Sequence, residues 1–66
     1  MLVVIHMVRG LERAQRIESL LQKEGLFVRI RPVYKAVDEA ENYFEIKVLA
    51  SEMDEARELL MNGGLI

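Results

Sequence analysis

The sequence predicts an α+β domain with the element order β-α-β-β-α. Two observations support this fold class: two segments carry apolar residues at the 3.6-residue spacing of an amphipathic helix, and three shorter segments are continuously apolar or alternate strictly. A chain of 66 residues has the length of one small domain. We therefore expect residues 1–66 to fold as a single unit.

The first strand is predicted over Leu2 to Val8. Nearly every side chain in this segment, LVVIHMV, is apolar, which suits the middle of a sheet better than a solvated border. No fourth strand is evident before Ile66, so we expect the first strand to remain an unpaired edge. It is predicted to be a pairing surface, with a dimer interface at Val4, His6 and Val8.

The first helix is predicted from Gly10 to Glu24. Gly25 follows it in the position of a left-handed C-terminal cap. The apolar stripe that defines this helix consists of Leu11, Ala14, Ile17, Leu20 and Leu21.

Two alternating segments downstream predict a β-hairpin. Phe27 to Arg31 and Tyr43 to Leu49 alternate apolar with polar side chains, and the acidic segment from Ala36 to Asn42 supplies the turn. Pro32 lacks a backbone donor, which places the later part of the second strand at an edge or an irregularity. The second strand is therefore expected to be half solvated.

The register of this hairpin is predicted from the turn. With the turn centred on Asp38, Ile30 faces Ile46 and Arg31 faces Glu45. Apolar side chains then pair with apolar ones, and a cation pairs with an anion on the opposite face.

The second helix is predicted to follow Ser51, because Ser51 and Asp54 have the spacing of a capping box. Its apolar stripe consists of Met53, Ala56, Leu59 and Leu60. The helix ends at the Asn-Gly-Gly segment 62–64. Leu65 and Ile66 then either pair briefly beside the first strand or provide the hydrophobic contact that often follows a glycine cap.

These elements predict one sheet topology. A strand, a helix and a second strand connect through a right-handed crossover, which leaves room for the third strand between the first two. The expected fold is a ferredoxin-like split β-α-β-β-α sandwich. It has a three-stranded antiparallel sheet in the order 1-3-2, two helices on one face, and a fourth strand that is absent or vestigial.

Composition limits the classes of function. Nine Lys and Arg stand against eleven Asp and Glu, a formal charge of -2, which gives no global basic field for nucleic acid. With no cysteine and one histidine, neither a disulfide framework nor an ordinary zinc site is available, so a small core is expected to gain support from oligomerisation. The apolar runs are far shorter than the roughly 20 residues of a membrane span, and no secretory signal pattern is present. We expect a cytoplasmic protein without a membrane partner.

No constellation of residues predicts catalysis. His6 is the only histidine, and without a second histidine, a cysteine or a Ser/Asp pattern around it we expect a structural role, no enzyme activity, no metal and no cofactor. One candidate ligand contact remains. A cluster of basic residues with one glycine lies at the predicted start of the first helix, where the amide groups and the dipole of the helix favour an anion. It consists of Arg9, Gly10 and Arg13, with Arg16 about one turn further along. The alternative is an ordinary solvated helix face.

One face of the predicted hairpin mixes aromatic and basic side chains: Phe27, Arg29, Arg31, Tyr43 and Lys47. This combination is superficially like an RNA-binding sheet. The aromatic-rich strand signatures of that fold are absent, however, and the overall acidity opposes phosphate binding. We interpret the face either as a salt-bridged surface or as one that another subunit covers.

Three segments carry a resemblance to a known family. They are the opening strand LVVIHMV, the helix and strand LERAQRIESLLQKEGLFVRI, and the closing EIKVLASEMDEARELL. Together they resemble the small prokaryotic signal-transducing domains described as similar to PII nitrogen regulators. The resemblance implies a non-enzymatic regulatory module with a ferredoxin-like core. It carries over no ligand residues, because these motifs are signatures of the fold and not of an active site. The segment from Ala36 to Asn42 is also too short to be the nucleotide-binding loop of true PII proteins.

These observations predict a small regulatory or interaction module that acts through protein contacts as a homodimer. The alternative is a small-molecule or anion sensor that binds its ligand at a dimer interface near Gly10 and Arg13. An enzyme would require partners for His6 that one subunit does not provide.

Overall fold

The computed structural model describes all 66 residues, from Met1 to Ile66. The sheet has the strand order β1-β3-β2, and both pairings are antiparallel. This arrangement confirms the predicted ferredoxin-like split β-α-β-β-α fold. Its elements are β1 (Leu2–Arg9), α1 (Leu11–Lys23), β2 (Val28–Pro32), β3 (Tyr43–Leu49), a 3₁₀ turn (Ala50–Glu52) and α2 (Met53–Asn62).

The core lies between the two helices and one face of the sheet. The central strand β3 contributes every second residue, because alternate side chains of a strand point to the same face. The predicted helical stripes contribute the opposite wall. Ten buried apolar residues form one cluster: Ala14, Ile17, Leu21, Leu26, Val28, Phe44, Ile46, Val48, Ala56 and Leu60.

The hairpin of β2 and β3 has the predicted register. Ile30 lies opposite Ile46 and Arg31 lies opposite Glu45. The two isoleucines pack with the core, whereas the two charged residues lie on the other side of the sheet, which the helices do not cover. That side is named the open face. It carries Leu2, Val4, Met7, Arg9, Arg29, Arg31, Tyr43, Glu45, Lys47 and Leu49.

A β-bulge interrupts the pairing of β1 with β3. Val4 lies opposite Lys47 and His6 lies opposite Ile46, so Ile5 has no partner of its own. One extra residue reverses the alternation beyond it. Val4 therefore lies on the open face, whereas Val8 packs against the core.

Both helices end in the same type of glycine turn. Gly25 and Gly64 have φ of 84° and 70°, the left-handed conformation that a Schellman motif requires. Leu65 N donates to Leu60 O at 2.9 Å, as this motif demands, and Leu65 packs against the core. The predicted cap at Gly25 is confirmed. Leu65 and Ile66 form no strand, so Leu65 provides the hydrophobic contact after the cap.

The capping box predicted at Ser51 and Asp54 is wrong. The chain first makes the 3₁₀ turn, which absorbs Ser51, and α2 begins only at Met53 without a side-chain cap. Glu52 stands in the cap position instead, but its Oε1 accepts a hydrogen bond from Phe27 N at 3.1 Å. This bond ties the start of α2 to the residue before β2. Neither helix has the length and apolar character that a bilayer crossing demands.

Candidate functional site

The outer edge of β1 is unpaired, because β3 is its only neighbour in the sheet. At one end of the ladder Gly10 N donates to Asn42 O at 2.7 Å, and at the other Ala50 N donates to Met1 O at 2.9 Å. Residues of an antiparallel strand alternate between bonding the neighbour and pointing away from it. Met1 and Gly10 bond toward β3, so every second residue inward from each of them does the same as far as the bulge. The backbone groups that point outward therefore belong to Leu2, Val4, Met7 and Arg9.

Apolar side chains accompany these free backbone groups. Leu2, Val4 and Met7 are 38%, 45% and 51% exposed. All three lie on the open face, each beside its partner residue on β3. An edge that offers both unpaired amides and exposed apolar side chains is suited to pairing with another strand. We name the four outward residues the association edge.

The remainder of the open face is charged and rich in cations. The Arg29 Cζ lies 4.7 Å from the centroid of the Phe27 ring, a cation–π contact. Lys47 Nζ lies 4.0 Å from Glu45 Oε1. Arg31 and Glu45 lie opposite each other but form no ion pair, so the ion pair of Lys47 with Glu45 is the one among the sheet residues of this face.

The predicted anion contact at Arg9, Gly10 and Arg13 lies at the start of α1, where the structure brings the three residues together around one shallow pocket. Arg9 is already ion-paired with Glu41. The amides of Gly10 and Leu11 donate to loop carbonyls at 2.7 and 3.0 Å. Fewer free donors and less uncompensated charge remain here than the residue types suggest.

Arg13 also belongs to a second cavity, which lies between β1, α1 and the C-terminal turn. This cavity of about 470 Å³ is named the arginine cleft, and His6 and Arg16 line it with Arg13. Neither Arg13 nor Arg16 has a carboxylate within ion-pair distance, since the two ion pairs of the molecule involve other residues. The arginine cleft is therefore the better place for an anion.

Asn42 holds the long loop between β2 and β3, a role that the sequence reasoning missed. Its side chain is 3% exposed. Oδ1 accepts from Tyr34 N and Tyr43 N at 3.2 and 2.8 Å, and Nδ2 donates to Tyr34 O at 2.7 Å. The only available signal is that asparagine before a strand often bonds to nearby backbone.

The acidic segment of this loop forms a turn. The backbone carbonyl of Asp38 accepts from the amides of Glu41 and Asn42, each at 2.9 Å. No group of three or more His, Cys, Asp or Glu side chains stands close enough to hold a metal ion.

Two surfaces thus remain as candidate sites, the association edge and the arginine cleft. The first offers backbone groups and apolar side chains to a strand, and the second offers two uncompensated guanidinium groups to an anion. The resemblance to the PII-like signal-transducing domains stays a prediction. Comparison of the chain with family models, with curated proteins and with solved structures gives no match.

Proposed function

We propose that this chain is a small cytoplasmic regulatory module of prokaryotic type, which acts through protein contacts and forms a homodimer. The observation that supports the proposal is the association edge. A strand of eight residues, six of them apolar, that has a free edge promotes pairing unless something protects it. A core of ten residues also leaves a small domain marginally stable, so burial against a second copy would add stability.

The size of the apolar contribution indicates a weak dimer. Burying a fully exposed side chain of this size contributes about 1.5–3 kcal/mol. Leu2, Val4 and Met7 are about half exposed or less, so the six such side chains of two copies contribute roughly 6 kcal/mol together. Association itself costs at least about 4 kcal/mol. The apolar contribution therefore exceeds this cost only slightly, and hydrogen bonds between the two strands must supply any further free energy of association. We expect a dimer that dissociates on dilution.

Sedimentation equilibrium across a wide concentration range tests this proposal. The weight-average mass is expected to rise from the 7.6 kDa of one chain toward the mass of two. A mass that stays at one chain up to millimolar concentration would contradict self-association. The edge would then be a surface for a different protein.

The surroundings of His6 support a non-enzymatic role. The charged side chains that share its cavity are arginines, and the others are apolar. Arginine stays protonated and supplies neither a base nor a nucleophile. We therefore propose contact, rather than catalysis, as the activity of this molecule, with protein and not nucleic acid as its partner.

A second candidate function, anion sensing, is favoured by the arginine cleft. Phosphate is the probe, with chloride at equal ionic strength as the reference, because salt alone screens surface charge. Phosphate should raise the melting temperature above the chloride reference, and Arg13→Gln with Arg16→Gln should abolish the difference. Lys23→Gln on the same helix, outside the cleft, is the matched control. Equal melting temperatures in the two salts would eliminate this function.

A further inference from the structure

The outward positions of β1 have a symmetric spacing. Leu2 and Val4 are two residues apart, the bulge separates Val4 from Met7, and Met7 and Arg9 are again two apart. The pattern is the same from either end of the strand. A twofold axis through the bulge therefore matches every outward position of one copy with an outward position of another.

We propose that two copies pair their β1 strands antiparallel about an axis between Ile5 and His6. Val4 then lies opposite Met7 of the partner subunit, and Leu2 lies opposite Arg9 of the partner subunit. This inference rests on the proposed self-association and adds its register. The result is a continuous six-stranded sheet in the order β2-β3-β1-β1-β3-β2.

The central side chains that meet in this register are apolar on both faces, and the pair of Leu2 with Arg9 of the partner subunit lies at the ends of the strands. On the open face, Val4 and Met7 are 45% and 51% exposed. The twofold axis creates two contacts between them, because Val4 of each copy packs against Met7 of the other. On the helix face, Val3 lies opposite Val8 of the partner subunit, and both are partly buried residues that pack against the core cluster. The register thus extends the existing core across the axis.

The bulge favours a second copy over an ordinary strand. A bulge bends its strand and increases the local twist, so a regular strand fits only one half of the edge at a time. A second β1 carries the same bulge at the same place. Registers centred on Val3 or on Val8 would pair only two outward positions of each strand, and are therefore weaker.

The other edge of the sheet is protected, which leaves β1 as the edge available for pairing. β2 has only five residues and ends in Pro32, and its open-face side chains are Arg29 and Arg31. Short length, proline and charge are the usual means of preventing edge association. β1 is longer, with eight residues, and contains no proline. Its one charged residue, Arg9, lies at the end of the strand, and its bulge is the one further protective feature.

Cysteine cross-linking tests the register, since the chain contains no cysteine. Residues opposite each other in an antiparallel pair have Cα atoms about 4.5–5.5 Å apart, within the range of a disulfide. Val4→Cys and Met7→Cys are mixed at a concentration at which sedimentation shows the dimer, and then oxidised. The mixture should give several times more cross-linked dimer than either variant alone.

Val4→Cys mixed with Arg31→Cys is the matched control, because Arg31 lies on the open face but on the far strand. A mixture of Val4→Cys and Met7→Cys that cross-links no better than this control, in a sample that sediments as a dimer, would overturn the register while leaving self-association intact. A sample that sediments as a monomer would instead overturn the proposed function. Both variants replace exposed side chains, and circular dichroism verifies that they fold.

Discussion

Val4 and Val8 lie on opposite faces of β1, although residues four apart in a regular strand share a face. Val4 is opposite Lys47 on the open face, and Val8 is opposite Phe44 and packs against the core. The unpaired Ile5 between them causes the reversal. The same substitution at these two positions should therefore have two different effects.

Val4→Lys is expected to give a folded monomer. The new ammonium group reaches solvent from a side chain that is 45% exposed, so the free energy of unfolding of the monomer should change by no more than about 0.5 kcal/mol. Val8→Lys should unfold the chain, because it places an unpaired charge against the core. Sedimentation equilibrium and thermal melting measure both effects.

Met61→Lys is the control for this pair, since Met61 is 64% exposed and belongs to α2, outside the sheet. It should remain folded and dimerise like the unmodified chain. A Val4→Lys variant that dimerises with unchanged affinity would show that β1 is not the association surface.

Ile46→Ala should be among the most destabilising substitutions in the molecule. Ile46 is fully buried on the central strand, with Ile30 on one side and His6 on the other. Truncation of such a side chain lowers the free energy of unfolding by about 2–5 kcal/mol, whereas Ile46→Val should lower it by about 0.5–1.5 kcal/mol. Urea denaturation measures both. Equal losses for the two variants would indicate a core that relaxes around the cavity.

Asn42→Ala should destabilise the loop by about 1–3 kcal/mol, because it leaves the backbone groups of Tyr34 and the amide of Tyr43 without their partners. Hydrogen exchange should accelerate at the two tyrosine amides first. Asn42→Asp keeps the acceptor but loses the donor to Tyr34 O, so it should retain protection of the amides better than alanine does. Asn62→Ala, at the exposed end of α2, is the control and should change neither.

Gly10 and Gly25 should respond differently to asparagine. Gly25 has φ of 84° in a Schellman cap, a conformation that asparagine tolerates better than alanine. Gly10 has φ of 93° and ψ of 133°, which lies outside the left-handed region and is restricted to glycine. Gly25→Asn should therefore be more stable than Gly25→Ala, while both replacements of Gly10 should lose about 1–3 kcal/mol. Thermal melting of the four variants checks the contrast, and rescue of Gly10 by asparagine would contradict it.

The register of the hairpin was predictable because polarity alternates in both of its strands. Only one register pairs Ile30 with Ile46 and Arg31 with Glu45, and the structure has that register. The bulge in β1 was not predictable for the opposite reason. Both faces of the segment LVVIHMV are mainly apolar, so no switch between apolar and polar residues shows where the alternation reverses.

The remaining differences have one local cause and one that is distant in sequence. Ser51 and Asp54 have the right spacing for a capping box, but the 3₁₀ turn moves the helix start to Met53. The ion pair between Arg9 and Glu41 compensates one member of the predicted anion site, and 32 residues separate the two. Residue types predict the charges at a site, whereas the pairing of those charges depends on how the loop packs.

The bulge also determines where this chain can tolerate the loss of a residue. The eight residues of β1 face the seven of β3, so β1 has one residue more than the ladder requires. Removing Ile5 would leave seven residues against seven, with Val3 and Val8 still toward the helices and Val4 and Met7 still on the open face. β3 has no spare residue, and a single deletion at its centre would turn half of its buried side chains toward solvent. Two strands that lie side by side therefore differ sharply in their tolerance of a one-codon deletion.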